Sequence, residues 1–333
     1  MTDRAQIAAE ALWYVAPGRA EIRPEAVMAP GPGQVQIRTS FTALSRGTES
    51  LVFSGRVPAS EFVRMRGPNM GGAFPFPVKY GYAAVGRVEH GPGDLAGRMV
   101  FALHPHQSVF TLPAIDITPL PENVPPARAL LAANMETALN AVWDAAPGPA
   151  DRIAVVGGGV VGALIAWLCG RLPGAEVTLI DILPERATLA QALGVQFALP
   201  GGAAGECDLV FHASGQPSGL SDALRLAGDE ATVVEMSWYG ATSVPVPLGE
   251  SFHSRRLRLV SSQVGQVAAS HRPRWSYPRR RSAAIALLTD ACLDALIAPG
   301  IAFAELPAKL PRILERNSTV LCQRIDYPPT VNP

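Results

Sequence analysis

The sequence predicts an α/β protein with one domain on a doubly wound parallel sheet and a second, mostly β domain. Three observations point that way. Over residues 152–181 a β-branched apolar run, a glycine-rich turn, a helix-competent stretch and a second apolar run follow one another, which is the order of a βαβ unit. Apolar runs and helical stretches then keep alternating to about Gln263, the rhythm of a parallel sheet covered by helices. Ahead of them, short alternating runs are parted by Pro- and Gly-rich turns, as in an irregular β domain.

In chain order, residues 34–37, 85–88 and 99–103 alternate like half-buried strands, with Pro30-Gly31-Pro32-Gly33 as a turn before the first. Residues 126–145 are helix-compatible and lead into the apolar strand that begins at Arg152. After Asp181, residues 184–193 read as a helix with Pro184 in its first turn and Gly194 as its stop. Residues 209–213 are a strand, 217–226 a helix, 232–237 a strand and 258–263 the last strand, for about six parallel strands in all. The chain then returns to a mixed texture: an amphipathic helix over 282–296, another over 306–314 and a closing strand over 320–325. That tail is too short for a core of its own. It is expected to complete the first domain, giving residues 1–125 with 266–333 as one domain and 126–265 as the other.

Composition sets limits on partners. The 333 residues are 48% hydrophobic, with 28 basic and 28 acidic side chains, so neither nucleic acid nor an anionic membrane is expected. Cys169, Cys207, Cys292 and Cys322 stand singly, with no disulfide framework and no Cys-rich zinc site. The run 153–170 carries no charge over 18 residues, near the length of a membrane span, but its glycines argue against one continuous helix. The N-terminal residues lack an apolar signal-peptide core, and the expectation is a cytoplasmic protein.

The glycines carry the first chemistry. Gly157, Gly159 and Gly162 have G-x-G-x-x-G spacing, and Asp181 follows 19 residues after the last of them. Gly157 permits a tight turn, Gly159 lets backbone approach a pyrophosphate, and Gly162 lets the helix pack on the sheet. The N–H groups of Val160 and Val161 open that helix and face the phosphates. Asp181, with Ile182 beside it, would accept hydrogen bonds from the adenosine ribose and repel a 2′-phosphate. Arg186 lies one helical turn further along the chain. NAD(H) is therefore expected over NADP(H), on a Rossmann-type sheet. Ser214 and Gly215, just past a strand end, lie where cofactor is expected.

The chain resembles the medium-chain dehydrogenase/reductase superfamily, the zinc alcohol dehydrogenase-like proteins with a GroES-like catalytic domain. The segment Thr137-Ala138-Leu139-Asn140-Ala141-Val142, the glycine motif and the continuation Asp181, Arg186, Leu193-Gly194 carry the resemblance. It implies a GroES-like, mostly β catalytic domain, places Thr137 near the nicotinamide, and points to a homodimer; the open last strand of the nucleotide sheet also invites pairing. The departures concern zinc. Arg46 stands where the family places a ligand cysteine, in Ser45-Arg46-Gly47-Thr48-Glu49. Tyr82 and Ala83 replace the His and Glu of a G-H-E motif, and the third ligand position falls near Ala133. The four-cysteine structural lobe is absent too. A guanidinium, a phenol and a methyl group do not assemble a tetrahedral zinc site, and a zinc-free member is expected.

Without a Lewis acid, something else must move the hydroxyl proton. Tyr82 is the first choice, with its pKa lowered by Lys79 or Arg46; the alternative is a tyrosine that fills vacated space. Arg46 clamps substrate or pairs with Glu49. Thr48 matches the family's hydroxyl relay or simply caps a turn. His104 and His106 read as loop or rim residues rather than metal ligands, and His212 as a cofactor neighbour or core histidine. The Arg272, Arg274, Arg279, Arg280, Arg281 run reads as a solvated loop or an anionic-substrate rim. The insertion 54–77, with Met65, Met70, Phe74 and Phe76, suggests an apolar wall. A small-molecule substrate follows, by hydride transfer between NAD(H) and a secondary alcohol or ketone. Enone or quinone reduction and a non-catalytic NAD-binding redox sensor are the alternatives. The pattern at Ser45–Glu49 and Gly81-Tyr82 is most similar to the bacteriochlorophyllide dehydrogenase branch, from which Ala83 departs.

Overall fold

The computed structural model describes residues 5–328; Met1–Arg4, at the start of the segment read for a signal peptide, lie outside them. Two compact units emerge. One takes the chain up to Ala133, Arg281–Asp290 and the chain from Ile297 onward; the other takes Asn134–Arg280 with Ala291–Leu296. Both changeovers fall further along the chain than composition placed them.

The second unit is the parallel sheet. Its strands lie in the order Gln196–Ala198, Glu176–Ile180, Arg152–Val156, Cys207–His212, Ala227–Glu235 and Arg258–Ser261, all parallel. The chain starts in the middle, winds outward to one edge, returns and winds to the other, which is the doubly wound order. Ile153 to Val156 are buried throughout, because helices cover both faces of such a strand and leave no reason for alternation. The strand Gln196–Ala198 has only three residues and gives no sequence signal. Pro217 opens the helix Pro217–Leu226, where its missing N–H costs nothing. Val210, Leu220, Leu224, Leu226 and Val233 form part of one buried cluster, each such side chain contributing roughly 1.5–3 kcal/mol. Leu224→Asp would set an unpaired carboxylate in that cluster and undo the packing.

The first unit is β-rich. A seven-stranded sheet runs Ile297–Ala302, Cys322–Asp326, Gln34–Leu44, Ala84–His90, Met99–Ala102 and Ile117–Pro119, with Val109–Pro113 also paired to Gln34–Leu44. A four-stranded sheet runs Arg19–Met28, Gln6–Ala16, Val78–Lys79 and Gly71–Gly72. The closing strand pairs antiparallel with Gln34–Leu44, Gln323 opposite Leu44.

One helix expectation fails. Instead of a single helix over 282–296, Tyr277–Ala286 is helical, and tighter turns follow at Leu287–Thr289 and Ala291–Leu296. Leu288 leaves helical geometry and Asp290 is extended, at φ −74° and ψ 122°. Thr289 and Asp290 are residues whose side chains compete with helical backbone bonding. Among the described residues no helix is long and apolar enough to cross a membrane. The uncharged run 153–170 is a strand, a turn and the helix Val160–Cys169.

Candidate functional site

In the parallel-sheet unit the glycine turn closes over the carboxyl end of the central strand. Gly157 takes φ +114°, and a Cβ there would stand 2.6 Å from the Ser214 nitrogen. Only glycine combines that φ with that approach. A Cβ on Gly162 would stand 1.9 Å from the Gly157 carbonyl oxygen, whereas one on Gly159 would meet nothing within 4 Å. Gly159 therefore leaves space outward, while Gly162 is spent on packing. Gly159 is the N-cap of Val160–Cys169 and provides no side-chain cap. The N–H groups of Val160 and Val161 have no intrahelical acceptor, so a concave backbone with free donors and a helix N-terminus fits a pyrophosphate.

Asp181 ends the neighbouring strand and is fixed by backbone. Its Oδ2 accepts the Gly158 N–H at 2.6 Å and its Oδ1 the Leu183 N–H at 2.9 Å; each oxygen keeps a lone pair for a ribose hydroxyl. Ile182 is exposed beside it. The sequence places Arg186 one turn away, but in space its Cγ stands 3.3 Å from where a Gly158 Cβ would lie, and its charge couples to Asp181. Arg186 is buried. Burial holds its guanidinium below the usual arginine range, although Asp181 pulls the other way. The acid at this strand end thus carries a cation at its side, which corrects the expectation of an unscreened carboxylate.

Across the central strand, the end of Cys207–His212 carries Ser214, whose hydroxyl lies 2.6 Å from His212 Nε2. His212 is fully buried, and its Nδ1 lies 2.9 and 2.8 Å from the two oxygens of Glu235. Tyr239 donates to Glu235 at 3.1 Å, and the Ser237 N–H donates at 2.7 Å. Burial alone would raise the Glu235 carboxyl, but the bonds from His212 and Ser237 win and hold it below the usual range. Gly215 donates its N–H to the Ser237 hydroxyl at 3.0 Å. Thr137 lies half-buried on the helix Ala132–Ala145.

In the β-rich unit the polar centre is Glu49, fully buried on the helix Arg46–Phe53. It accepts from the Tyr14 hydroxyl at 2.8 Å and from the Ser45 N–H at 2.7 Å, and lies 3.0 Å from His106 Nε2. A buried carboxylate costs several kcal/mol unless it is paired, and these three partners offset that cost. His106 Nδ1 lies 2.8 Å from the Thr42 hydroxyl, itself 3.3 Å from the Tyr327 hydroxyl. Tyr82 is half-buried at the edge of this cluster. Burial first, and then Glu49, push its phenol up to about 12, although bonds with the Ser45 and Thr48 hydroxyls pull the other way. Phe62, Phe74, Tyr80 and Tyr82 form a chain of aromatic contacts, with ring centroids 5.7, 6.0 and 6.1 Å apart.

Several sequence expectations are overturned here. Lys79 does not serve Tyr82: it binds Glu25 at 2.6 Å and the Gln107 side chain at 2.7 Å. Arg46 does not pair with Glu49; its guanidinium donates to the carbonyls of Val320 and Glu315, at 2.6 and 2.8 Å. With both cations committed elsewhere, the Tyr82 phenol is raised rather than lowered. His104 and His106 are buried, not rim residues; His104 stacks on Phe110 at 3.8 Å, and burial drops its pKa to about 3. Arg280 is no solvated charge either: it is buried, 3.2 Å from Glu136, and it donates to Asn140 at 2.8 Å. Met70 and Phe74 are buried within the insertion. Among the described residues no group of three His, Cys, Asp or Glu side chains is placed to hold a metal ion.

Sequence reasoning missed Glu49 and Glu235 as centres. Glu235 carried a usable signal, an acid closing a buried apolar run as Asp181 does; Glu49 did not, since nothing local marks a carboxylate that will meet Tyr14 and His106 across the fold.

No family model matches the sequence. Solved structures do match. L-idonate 5-dehydrogenase from Escherichia coli K-12 gives a TM-score of 0.79 at 14% identity, covering 98% of this chain and 100% of that one. An alcohol dehydrogenase from E. coli CFT073 complexed with NADH gives 0.74 at 17%, over 96% and 99%. A candidate zinc-binding dehydrogenase from Sinorhizobium meliloti bound to NADP gives 0.77 at 16%, over 96% and 100%. At such identities the likeness is one of fold, and the chain has the fold of the medium-chain dehydrogenases.

Proposed function

We propose that the protein is an NAD-dependent, zinc-independent oxidoreductase of the alcohol dehydrogenase type. It would transfer hydride between NAD(H) and a secondary alcohol or ketone. The observation that carries this is the Gly157 turn, backed by Ser214 on one side and Asp181 on the other. NAD(H), when bound, supplies or accepts the hydride. Gly157, Gly159 and the N–H groups of Val160 and Val161 would hold its pyrophosphate, and Asp181 its adenosine ribose. The solved structures of the same fold include an alcohol dehydrogenase with NADH and a zinc-binding dehydrogenase with NADP, which supports the class and leaves NAD preference resting on Asp181.

Tyr82 is the proposed proton-handling group, in a different sense from a lowered-pKa base. A phenol near 12 stays protonated at neutral pH, so it offers a hydrogen bond to a substrate oxygen and stabilises charge developing there. Thr48 and Ser45 orient it. That favours carbonyl reduction, and it serves reduction of a conjugated enone equally well, which keeps the second reading open. Zinc independence is supported by the residues at the family's ligand positions: Arg46 holds two carbonyls, Tyr82 is neutral and Ala133 is a methyl. The resemblance of Ser45–Glu49 to the bacteriochlorophyllide dehydrogenase branch agrees with it.

The test is turnover with a panel of ketones and enones and NADH, alongside elemental analysis. Tyr82→Phe should lower kcat about 10²-fold with NADH affinity unchanged. No turnover on any carbonyl despite tight NADH binding would reject the enzyme reading in favour of a sensor. One equivalent of zinc retained through chelation would reject zinc independence.

A further inference from the structure

The His212 network does more than fill the end of a strand. Glu235 presents two acceptor oxygens to Nδ1, so Nδ1 carries the ring proton. In the neutral ring Nε2 is then an acceptor, and the group 2.6 Å from it is the Ser214 hydroxyl, which must donate there. Ser214 Oγ also accepts the Gln216 N–H at 3.2 Å, leaving one lone pair and no proton. Ser214 is only partly buried and backs the Gly157 turn. While the His212 ring is neutral, the outward face of Ser214 accepts a hydrogen bond and gives none. The titratable groups facing His212 in its hydrogen bonds are Glu235 and Tyr239; neither faces Ser214.

Sheet order says which part of a ligand lies there. Asp181 ends the strand on one side of Arg152–Val156 and His212 the strand on the other, each about 4.8 Å from the centre. A dinucleotide with one ribose at Asp181 and its pyrophosphate on the Gly157 turn therefore carries its second ribose over Ser214. We propose that Ser214, held by His212 and Glu235, reads a hydroxyl of that second ribose as an obligate acceptor. His212 and Glu235 are positioning residues that set the polarity of the site. A phosphate or carbonyl oxygen placed there would meet only lone pairs. The proposal rests on the dinucleotide reading above.

The experiment titrates three probes against the full chain: ADP, which lacks the second ribose, ADP-ribose, which has it, and NADH. Ser214→Ala removes one oxygen and His212→Gln disrupts the relay. Both variants should weaken ADP-ribose and NADH roughly three- to tenfold, the worth of one neutral hydrogen bond, and leave ADP unchanged. Retained ADP binding also reports a folded crevice. Unchanged affinity for all three probes would overturn the proposal and leave the dinucleotide reading standing. Equal weakening of all three would overturn it as well, by reducing the network to support for the loop. Failure of the unsubstituted protein to bind any of them would overturn both.

Discussion

Asp181→Ser tests the electrostatics of the adenosine end of the crevice. Two like unit charges about 5 Å apart repel by about 3 kcal/mol at an effective dielectric constant of ~20, and a 2′-phosphate brought to Asp181 meets that repulsion. Arg186, buried beside Asp181, attracts the same phosphate and offsets part of it. The net penalty on NADPH should be roughly 1–2 kcal/mol, about five- to thirtyfold in affinity. Serine removes the repulsion and leaves the cation, so NADPH should then bind at least as tightly as NADH. Both ligands should also weaken somewhat, because the Gly158 and Leu183 N–H groups lose their acceptor; the ratio, not either value, is the readout. Arg186→Met keeps the packed stem without the charge and should widen the NADH preference to about a hundredfold. Fluorescence titration of both cofactors at physiological ionic strength measures all three ratios. Equal affinities in the unsubstituted protein, with no change of ratio in either variant, would refute the assignment of Asp181 to the ribose.

The second and third glycines of the motif should separate cleanly. Gly159→Ala, with open space around its Cβ, should leave the melting temperature within about 2 °C and weaken NADH, whereas Gly162→Ala forces the turn apart and should lower stability by more than about 2 kcal/mol. Calorimetry beside cofactor titration decides it. Alkaline stability offers a third check, because Tyr14, Tyr80, Tyr82 and Tyr327 all titrate above the ordinary phenol range, through burial first, with the Glu49 charge adding to it in each. The unfolded chain releases those protons first, so stability is present below about pH 10 and is lost as pH rises toward the folded values; burial also raises Cys169 and Cys322 to about 12, which starts the decline nearer ~9. Melting temperatures that stay flat to pH 11 would contradict this. A homodimer is also proposed, since the nucleotide sheet ends on Arg258–Ser261 with Val260 exposed and an open edge invites pairing; a monomeric mass by light scattering at micromolar concentration would count against it.

The nucleotide half was legible because its signals are local. Glycine spacing, an apolar run buried on both faces and an acid at a strand end are all fixed by neighbours along the chain. The strand Gln196–Ala198 escaped notice because three residues carry no period, and the expected helix over 282–296 broke where Thr289 and Asp290 compete with it. The β-rich half gave up Gln34–Leu44, Ala84–His90, Met99–Ala102 and Cys322–Asp326, but neither the pair Gln6–Ala16 and Arg19–Met28 nor its polar centre.

What the sequence by itself determined was the α/β class, the glycine turn with Asp181, and the absence of zinc-ligand residue types at Arg46, Tyr82 and Ala133. The tertiary structure alone decided where the charges go. It turned Arg46 and Lys79 away from Tyr82, set Arg186 against Asp181, and closed Glu49 among Tyr14, Ser45 and His106. The physical reason is that a buried carboxylate must find its partners wherever the fold brings them. His106 is 57 residues from Glu49 and Tyr14 is 35, and no pattern along the chain encodes a hydrogen bond across that distance.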